Sequence, residues 1–120
     1  MGAKIPRVSE GSVYDPSQVG STIRLDSAAW VDWLEAPTTT SFSYPLYDPA
    51  CGYIVGFMTV RKEGRRRGRM YWWVFRRRGR QVRKIYLGAS TAVTQARLEA
   101  IAEALRERAA EQRQLDTTAR

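Results

Sequence analysis

Residues 70–88 read MYWWVFRRRGRQVRKIYLG and hold five aromatic side chains, five arginines and one lysine. Two runs rich in aromatic and branched residues flank Gly79, which is the pattern of a β-hairpin. The sequence therefore predicts strands over 69–78 and 82–87, joined by a three-residue turn at 79–81. This hairpin is the starting point for predicting the fold, because the segments before and after it must pack against it to complete one hydrophobic core.

The segments around the hairpin indicate one more strand and a long helix. GYIVGFMTVRK alternates well enough to predict a strand over 52–62, and EGRRRG after it is a loop with three adjacent arginines. After Gly88 the apolar period changes from two to about 3.6. This change predicts an amphipathic helix over 94–113 with Thr94 as its N-cap.

The N-terminal half carries weaker signals. LDSAAWVDWLEAP predicts a short helix capped by Asp26 or Ser27. TTTSFSYPL predicts a short edge strand in which Pro45 limits pairing. Residues 1–24 are polar and lack periodicity, as expected of a loosely ordered arm.

We therefore expect an α+β fold. It comprises a three-stranded antiparallel meander backed by one long C-terminal helix, plus a short tryptophan-containing N-terminal helix and an edge strand. The 120 residues suit a single domain at 25–113, with the arm at 1–24 before it and a frayed tail at 114–120 after it.

The two faces of the meander should differ, because one helix can cover only one of them. With the three-residue turn, Phe75 pairs with Ile85 and Trp73 with Leu87. The predicted core face then carries Tyr71, Trp73, Phe75, Ile85 and Leu87, and the predicted open face carries Trp72, Val74, Arg76, Arg78, Lys84 and Tyr86. A slip of one residue in the register would exchange the two faces.

The positive charge is concentrated around the hairpin. Residues 61–84 hold 12 basic and 1 acidic side chain, whereas residues 1–60 have a net charge of −3 and residues 85–120 of 0, within a total of +8. Such a field repels itself and favours a polyanionic ligand. A nucleic acid is the first candidate and an anionic membrane surface the second.

Other classes of function find little support in the composition. The chain has one cysteine, Cys51, and no histidine, so neither an internal disulfide nor a zinc site is expected. It lacks the phosphate-binding GxxxxGKS/T and GxGxxG motifs, and its carboxylates at Asp32, Glu35 and Asp48 are isolated. We expect no enzymatic activity and no cofactor. The N-terminus lacks an apolar run, and no apolar stretch is long enough to span a membrane, so a cytoplasmic protein is expected.

The sequence predicts a double-stranded DNA-binding module whose sheet enters the major groove. Arginines neutralise phosphates and bind guanine, and a β-ribbon is narrow enough for that groove. The side chains predicted to lie near bases are Trp72, Arg76, Lys84 and Tyr86. Those predicted to contact phosphates are Arg61, Arg65, Arg66, Arg67, Arg78, Arg80 and Arg83.

Two alternatives stay open at this point. Exposed aromatic side chains also suit an RNA or single-strand binder, in which they would stack on unpaired bases. A protein-interaction module could use the same basic face for an acidic partner. We expect a nucleic-acid partner and no membrane partner, and the sequence leaves the oligomeric state undetermined.

Several of these motifs resemble a known bacterial segment. AAWVDWL, TVRKEGRRRG, MYWWVFRRR, KIYLG and VTQARLEAIA are similar, over about residues 26–106, to the N-terminal βββα segment of LuxR-type maltose-regulator-like ATPases and related stand-alone bacterial proteins. Val74 departs from the alanine usual there, and the turn RGRQ departs from paired glycines. The resemblance implies a DNA-binding accessory or regulatory protein.

A more distant resemblance concerns the meander and its following helix. This arrangement is similar to the DNA-binding domain of plant ethylene-response factors and to the arm-binding domain of tyrosine integrases. In the plant domain a tryptophan and basic residues of the sheet contact the major groove. The resemblance implies that Tyr86 takes the place of that tryptophan, and that Lys84 and Arg76 take the places of basic contacts.

Overall fold

The computed structural model describes residues 5–16, 22–50, 52–64 and 69–118, with the backbone alone for Arg78 and for 107–118. Seven strands of this part of the chain form one sheet, and two α-helices pack on it. The strands are β1 (Arg7–Ser9), β2 (Ser12–Tyr14), β3 (Thr22–Arg24), β4 (Ser41–Asp48), β5 (Tyr53–Gly64), β6 (Met70–Arg78) and β7 (Gln81–Gly88). The helices are α1 (Ala28–Glu35) and α2 (Gln95–Thr118), and a 3₁₀ turn at Ser90–Ala92 precedes α2.

The predicted fold, a three-stranded meander backed by one helix, is wrong. The strands lie in the order β3-β2-β1-β4-β5-β6-β7, and the sheet is mixed because β1 runs parallel to β4. Three of the seven strands fall within the segment predicted as a loosely ordered arm. Each has only three residues and at most one well-covered apolar side chain, Val8, Val13 or Ile23, so no alternation is visible in the sequence.

Strand β4 is an interior strand rather than the predicted edge strand. It pairs with β5 along its whole length and with β1 through Arg7 and Ser43. The backbone N–H of Ser43 also donates to the carbonyl of Pro6. Pro45 is accommodated because it follows the short stretch of β4 that pairs with β1.

The core lies between the two helices and one face of β4–β7, which we call the inner face. Its side chains from the sheet are Phe42, Tyr44, Leu46, Met58, Val60, Trp72, Val74 and Leu87, all buried. An aromatic cluster joins α1 to this face, since the ring of Phe42 lies 5.3 Å from Trp30, 5.7 Å from Trp33 and 5.6 Å from Trp72. Trp30 and Trp33 of the WxxW pair therefore belong to the core.

The helix ends follow ordinary capping chemistry. Ser27 caps α1, because its Oγ atom accepts a hydrogen bond from the N–H of Trp30. Thr94 caps α2 in the same way by accepting from Arg97, and Asp26 accepts from the N–H of Gln95. The α2 backbone continues to Thr118, past the predicted end at 113.

Helix α2 packs on β4 through one apolar stripe. Leu98, Ala102 and Leu105 are buried there. At the edge of this contact the hydroxyl of Tyr44 donates to the carboxylate of Glu99. With α1 and α2 on the inner face, neither of the two described helices covers the opposite face of β4–β7, which we call the outer face.

Candidate nucleic-acid interface

The turn of the β6–β7 hairpin sets which side chains reach the outer face. Only Gly79 and Arg80 lie in the turn, because Arg78 pairs with Gln81. Gly79 has φ +60°, a left-handed conformation that glycine adopts without strain. The predicted three-residue turn is wrong, and Val74 rather than Phe75 faces Ile85.

A second irregularity lies at the other end of the hairpin. Trp73 pairs with Tyr86 and Trp72 with Gly88, so Leu87 is an extra residue in β7. Alternation along β7 puts Tyr86 on the exposed side and Leu87 on the buried side, and the bulge brings Gly88 opposite the buried Trp72. The predicted pairing of Trp73 with Leu87 is therefore wrong as well.

The predicted core and open faces of β6 are exchanged. Trp72 is fully buried, and its indole N–H donates to the hydroxyl of Ser90 over 3.0 Å, so it cannot reach a base. Val74 is buried beside it. The side chains that β6 gives to the outer face are Tyr71, Trp73, Phe75 and Arg77.

The outer face consists of transverse rows of residues paired across neighbouring strands. One row runs Ser41, Arg61, Trp73 and Tyr86, and the next runs Ser43, Thr59, Phe75 and Lys84. None of these residues is buried. In these rows Arg61 is paired with Trp73 and Lys84 with Phe75, on the side of the sheet away from the helices.

Cations lie over the aromatic rings at the centre of this face. The Lys84 Nζ atom is 4.4 Å from the centroid of the Trp73 ring and 5.4 Å from that of Phe75. The Arg61 guanidinium is 5.3 Å from the same Phe75 centroid on the neighbouring strand. Such stacking keeps long cationic side chains spread across a surface while their charges stay in water. Ammonium and guanidinium groups are consequently presented outward from this part of the sheet.

Lys84 and Trp73 each make one further contact on the outer face. Lys84 forms a 2.9 Å ion pair with Glu63, the one acidic residue of the basic segment 61–84. The ring of Tyr86 packs edge-on against Trp73 with centroids 4.8 Å apart, while 43% of Tyr86 stays exposed. Lys84 and Tyr86 therefore lie on the open side of the sheet, as predicted, and their contact with bases stays a prediction.

The far end of the β6–β7 hairpin extends beyond its pairing with β5. The last pair between β5 and β6 is Thr59 with Phe75, whereas β6 and β7 stay paired to Arg78 and Gln81. The two-stranded end at 76–83 contains five arginines in eight residues, and we call it the arginine tip. Arg77, Arg80 and Arg83 are exposed there.

Arg76, predicted to lie near bases, instead connects the arginine tip to β5. Its Nη1 atom donates to the carbonyl of Phe57 over 2.8 Å. A side chain at position 56 would come within 2.8 Å of the Arg76 guanidinium, so Gly56 makes room for this contact. Arg76 is a positioning residue for the tip in this structure.

The predicted phosphate contacts fall into three groups. Arg61, Arg80 and Arg83 have exposed side chains on the hairpin or beside it. Arg78 is placed on β6 by its backbone. The loop arginines Arg65, Arg66 and Arg67 lie outside the described residues.

The sequence prediction missed Trp73, Phe75 and Arg77 as outer-face residues. A usable signal existed, because a two-residue turn would have paired Val74 with Ile85, two branched aliphatic residues that suit a core face. The bulge at Leu87 leaves no such mark, since β-bulges depend on tertiary packing.

A cleft of about 690 Å³ lies between the end of α1 and the β5–β6 end of the sheet. Its lining includes Glu35, Lys62, Arg69 and Tyr71. Burial lowers the pKa of Lys62, although the charge of Glu35 opposes this effect. The Lys62 Nζ atom donates to the carbonyl of Ala36 over 3.1 Å, so it is a structural contact to the end of α1.

Clustered metal ligands or a long apolar helix would mark other kinds of site in the described ranges. Among those residues no group of three His, Cys, Asp or Glu side chains is placed to hold a metal ion. In the same part of the chain, neither helix combines the length and the apolar character needed to cross a bilayer.

Comparison with known proteins finds no matching protein family, no matching curated protein and no matching solved structure. The resemblances to the LuxR-type segment, the ethylene-response factors and the integrase arm-binding domain therefore stay predictions.

Proposed function

We propose that this protein binds double-stranded DNA by placing the arginine tip in the major groove. The observation that carries the proposal is the projection of residues 76–83 as a two-stranded ribbon beyond the last pair with β5. A two-stranded β-ribbon fits the major groove of B-DNA, which is about 12 Å wide. The proposal assigns the chain no catalytic step.

The distribution of charge on the tip supports this choice of ligand. Arg77 shares the outer side of the ribbon with Val82, whereas Arg83 pairs with Arg76 on the other side, and Arg80 occupies the turn. A ribbon inside a groove meets phosphates on both walls, so cations on both sides find partners there. A flat anionic surface would engage only one side.

The outer face extends the same contact along the duplex. Arg61 and Lys84 lie over aromatic rings, which orders their side chains before any ligand arrives. Ordering a long cationic side chain in advance reduces the entropy lost on binding. If about six phosphates are neutralised, the log–log salt slope on duplex DNA is about −5.

Single-stranded nucleic acid is the second candidate ligand. The observation that favours it is the row of rings on the outer face, where Tyr71, Trp73, Phe75 and Tyr86 are all partly exposed. Unpaired bases stack on such rings in many single-strand binders. The duplex is preferred because Lys84 and Arg61 already lie over two of these rings and would have to move.

The test is fluorescence anisotropy with random duplex DNA, single-stranded DNA and hairpin RNA, each over a salt series. Duplex should bind most tightly, and Arg80→Ala/Arg83→Ala should weaken it and make the salt slope shallower by about 2. Arg7→Ala/Arg24→Ala removes the same charge from exposed positions on β1 and β3, and should change the slope by less than half as much.

The other outcomes select among the alternatives. Tighter binding of single strands or RNA would replace the groove model of recognition with stacking on the outer face. Absence of nucleic-acid binding at physiological salt would favour an acidic protein partner instead. An accessory or regulatory role in the cytoplasm is part of the proposal and follows from the predicted ligand.

A further inference from the structure

A second hairpin end lies beside the arginine tip and has the opposite character. Tyr47, Tyr53, Ile54 and Phe57 of the β4–β5 hairpin have exposed fractions of 51%, 66%, 48% and 45%. We call these four residues the aromatic tip. Single exposed apolar side chains are ordinary, but several on one hairpin end mark a contact surface.

The aromatic tip is held in place although its side chains are exposed. The register of β4 and β5 shifts between Leu46 and Tyr47, which ends the buried row of the inner face at Leu46. Arg106 of α2 donates to the carbonyl of Tyr47 over 2.5 Å. The Asp48 carboxylate accepts from the N–H of Ala50 within the turn. The side chains of the aromatic tip are therefore exposed on a hairpin whose backbone is held by hydrogen bonds.

The two tips lie at the same end of the sheet and are not paired with each other as strands. Beyond Thr59 and Phe75, β5 and β6 are no longer paired, and the bond from Arg76 to Phe57 connects the two hairpins near the point of separation. Adjacent strands are about 4.8 Å apart, so the two hairpin axes are about 10 Å apart where the pairing of β5 with β6 ends. They form two prongs, one apolar and one cationic.

Charge decides which partner fits this pair of prongs. Residues 47–57 contain one charged side chain, Asp48, whereas residues 76–83 contain five arginines. A second copy of the chain docked on the aromatic tip would bring its own arginine tip close to the first, and the two would repel. A duplex neutralises the arginines and also offers apolar sugar surface.

We propose that the aromatic tip is a second contact with the same DNA duplex, seated on deoxyribose in the minor groove beside the major groove that receives the arginine tip. This inference rests on the proposed function. Major and minor groove centres are about 17 Å apart along the helix axis, half of one turn, so the complex requires the ends of the two prongs to lie further apart than their bases. Apolar side chains are the usual minor-groove contacts of proteins that bend DNA.

The test compares two double variants that remove the same kinds of side chain. Tyr53→Ser/Ile54→Ser should lower duplex affinity about tenfold, because apolar contact area is lost. The salt slope should stay that of the parent, because no phosphate contact is removed. Ile5→Ser/Tyr14→Ser removes an isoleucine and a tyrosine that are each about half exposed, before β1 and in β2, and should leave the affinity within twofold.

Several results would overturn the inference. If the parent protein binds duplex and Tyr53→Ser/Ile54→Ser binds it with the same affinity, the second contact is rejected and the proposed function still holds. A parent that does not bind duplex would reject both. If Tyr53→Ser/Ile54→Ser loses affinity for phosphatidylserine vesicles but keeps its affinity for duplex DNA, the aromatic tip contacts a membrane surface instead. Tyr53→Ser alone, at the most exposed of the four positions, provides the same comparison if the double variant does not fold.

Discussion

The ammonium group of Lys84 lies 4.4 Å from the centroid of the Trp73 ring and 2.9 Å from the carboxylate of Glu63. One lysine is thus shared between an aromatic surface and the one acidic residue of the basic segment. In the proposed complex a phosphate would compete with Glu63 for this lysine. The Glu63 carboxylate should therefore weaken DNA binding while it contributes little to folding.

Replacement of Glu63 by glutamine should strengthen duplex binding. One negative charge leaves the interface and Lys84 becomes available, so we expect about a threefold to tenfold gain in affinity at low salt. The free energy of unfolding should fall by less than about 1 kcal/mol, because exposed ion pairs contribute little. Anisotropy and urea denaturation measure the two effects. Glu103→Gln on the exposed side of α2 is the matched control, and an equal gain there would contradict a local role for Glu63.

The adjacent tryptophans of β6 should respond differently to truncation. Trp72 is fully buried against Phe42, so Trp72→Ala should cost about 3–5 kcal/mol of unfolding free energy. Trp73 is partly exposed on the outer face, and Trp73→Ala should cost less than half of that. Denaturation in urea compares them directly. A larger loss for Trp73 would show that the register of β6 is the one predicted from a three-residue turn.

Gly56 and Arg76 should act on stability through one contact. Gly56→Ala displaces the Arg76 guanidinium from the Phe57 carbonyl, and Arg76→Met removes the same bond, so each should cost about 1 kcal/mol. The double variant should cost clearly less than the sum, because the two changes share one interaction. Urea midpoints of all four proteins close the cycle, and additive losses would show that the two residues act separately.

Tyr44 should make the fold sensitive to alkaline pH. Burial, then the hydrogen bond to Glu99 and the charges of Glu99 and Asp26, raise the pKa of Tyr44 above its ordinary value of 10.0. Because the folded pKa is raised, the folded state holds a proton that the unfolded state releases. The contribution of protonated Tyr44 to the free energy of unfolding is fully present below about pH 10 and declines as pH rises further.

Tyr44→Phe tests this account of the alkaline limit. The variant should lose about 1 kcal/mol at neutral pH with the hydrogen bond to Glu99. It should also show a shallower decline in stability above pH 10 than the parent. Tyr14→Phe changes an exposed phenol and serves as control. Equal alkaline slopes for the parent and Tyr44→Phe would contradict the assignment.

Local signals predicted the parts of the fold that depend on neighbouring residues. The caps at Ser27 and Thr94 and the apolar stripe with Leu98 and Leu105 follow from residues within two turns of a helix. Strands β5, β6 and β7 are long enough for their composition to identify them. The exposed cations Arg80 and Lys84 were predicted from equally local signals, the position of the turn and the alternation along β7.

The parts that were not predicted depend on contacts distant in sequence. Strands β1, β2 and β3 exist because Val8 and Val13 are buried on the sheet, and three residues cannot show an alternation. The prediction exchanged the two faces of β6 because it assumed a turn longer by one residue, and a shift of one residue in the pairing moves each side chain to the other face. The aromatic tip was missed since no local signal in the sequence marks the register shift between Leu46 and Tyr47, next to which Ile54 is exposed.

The most direct test of the central claim is a nuclear magnetic resonance titration of isotope-labelled protein with a short random duplex. The account predicts that amide shifts concentrate at residues 76–83 and at the outer-face positions Arg61, Trp73 and Lys84, while the amides of α1 on the inner face stay unchanged. Shifts confined to the helices, or no shifts at physiological salt, would contradict the claim that the arginine tip binds duplex DNA.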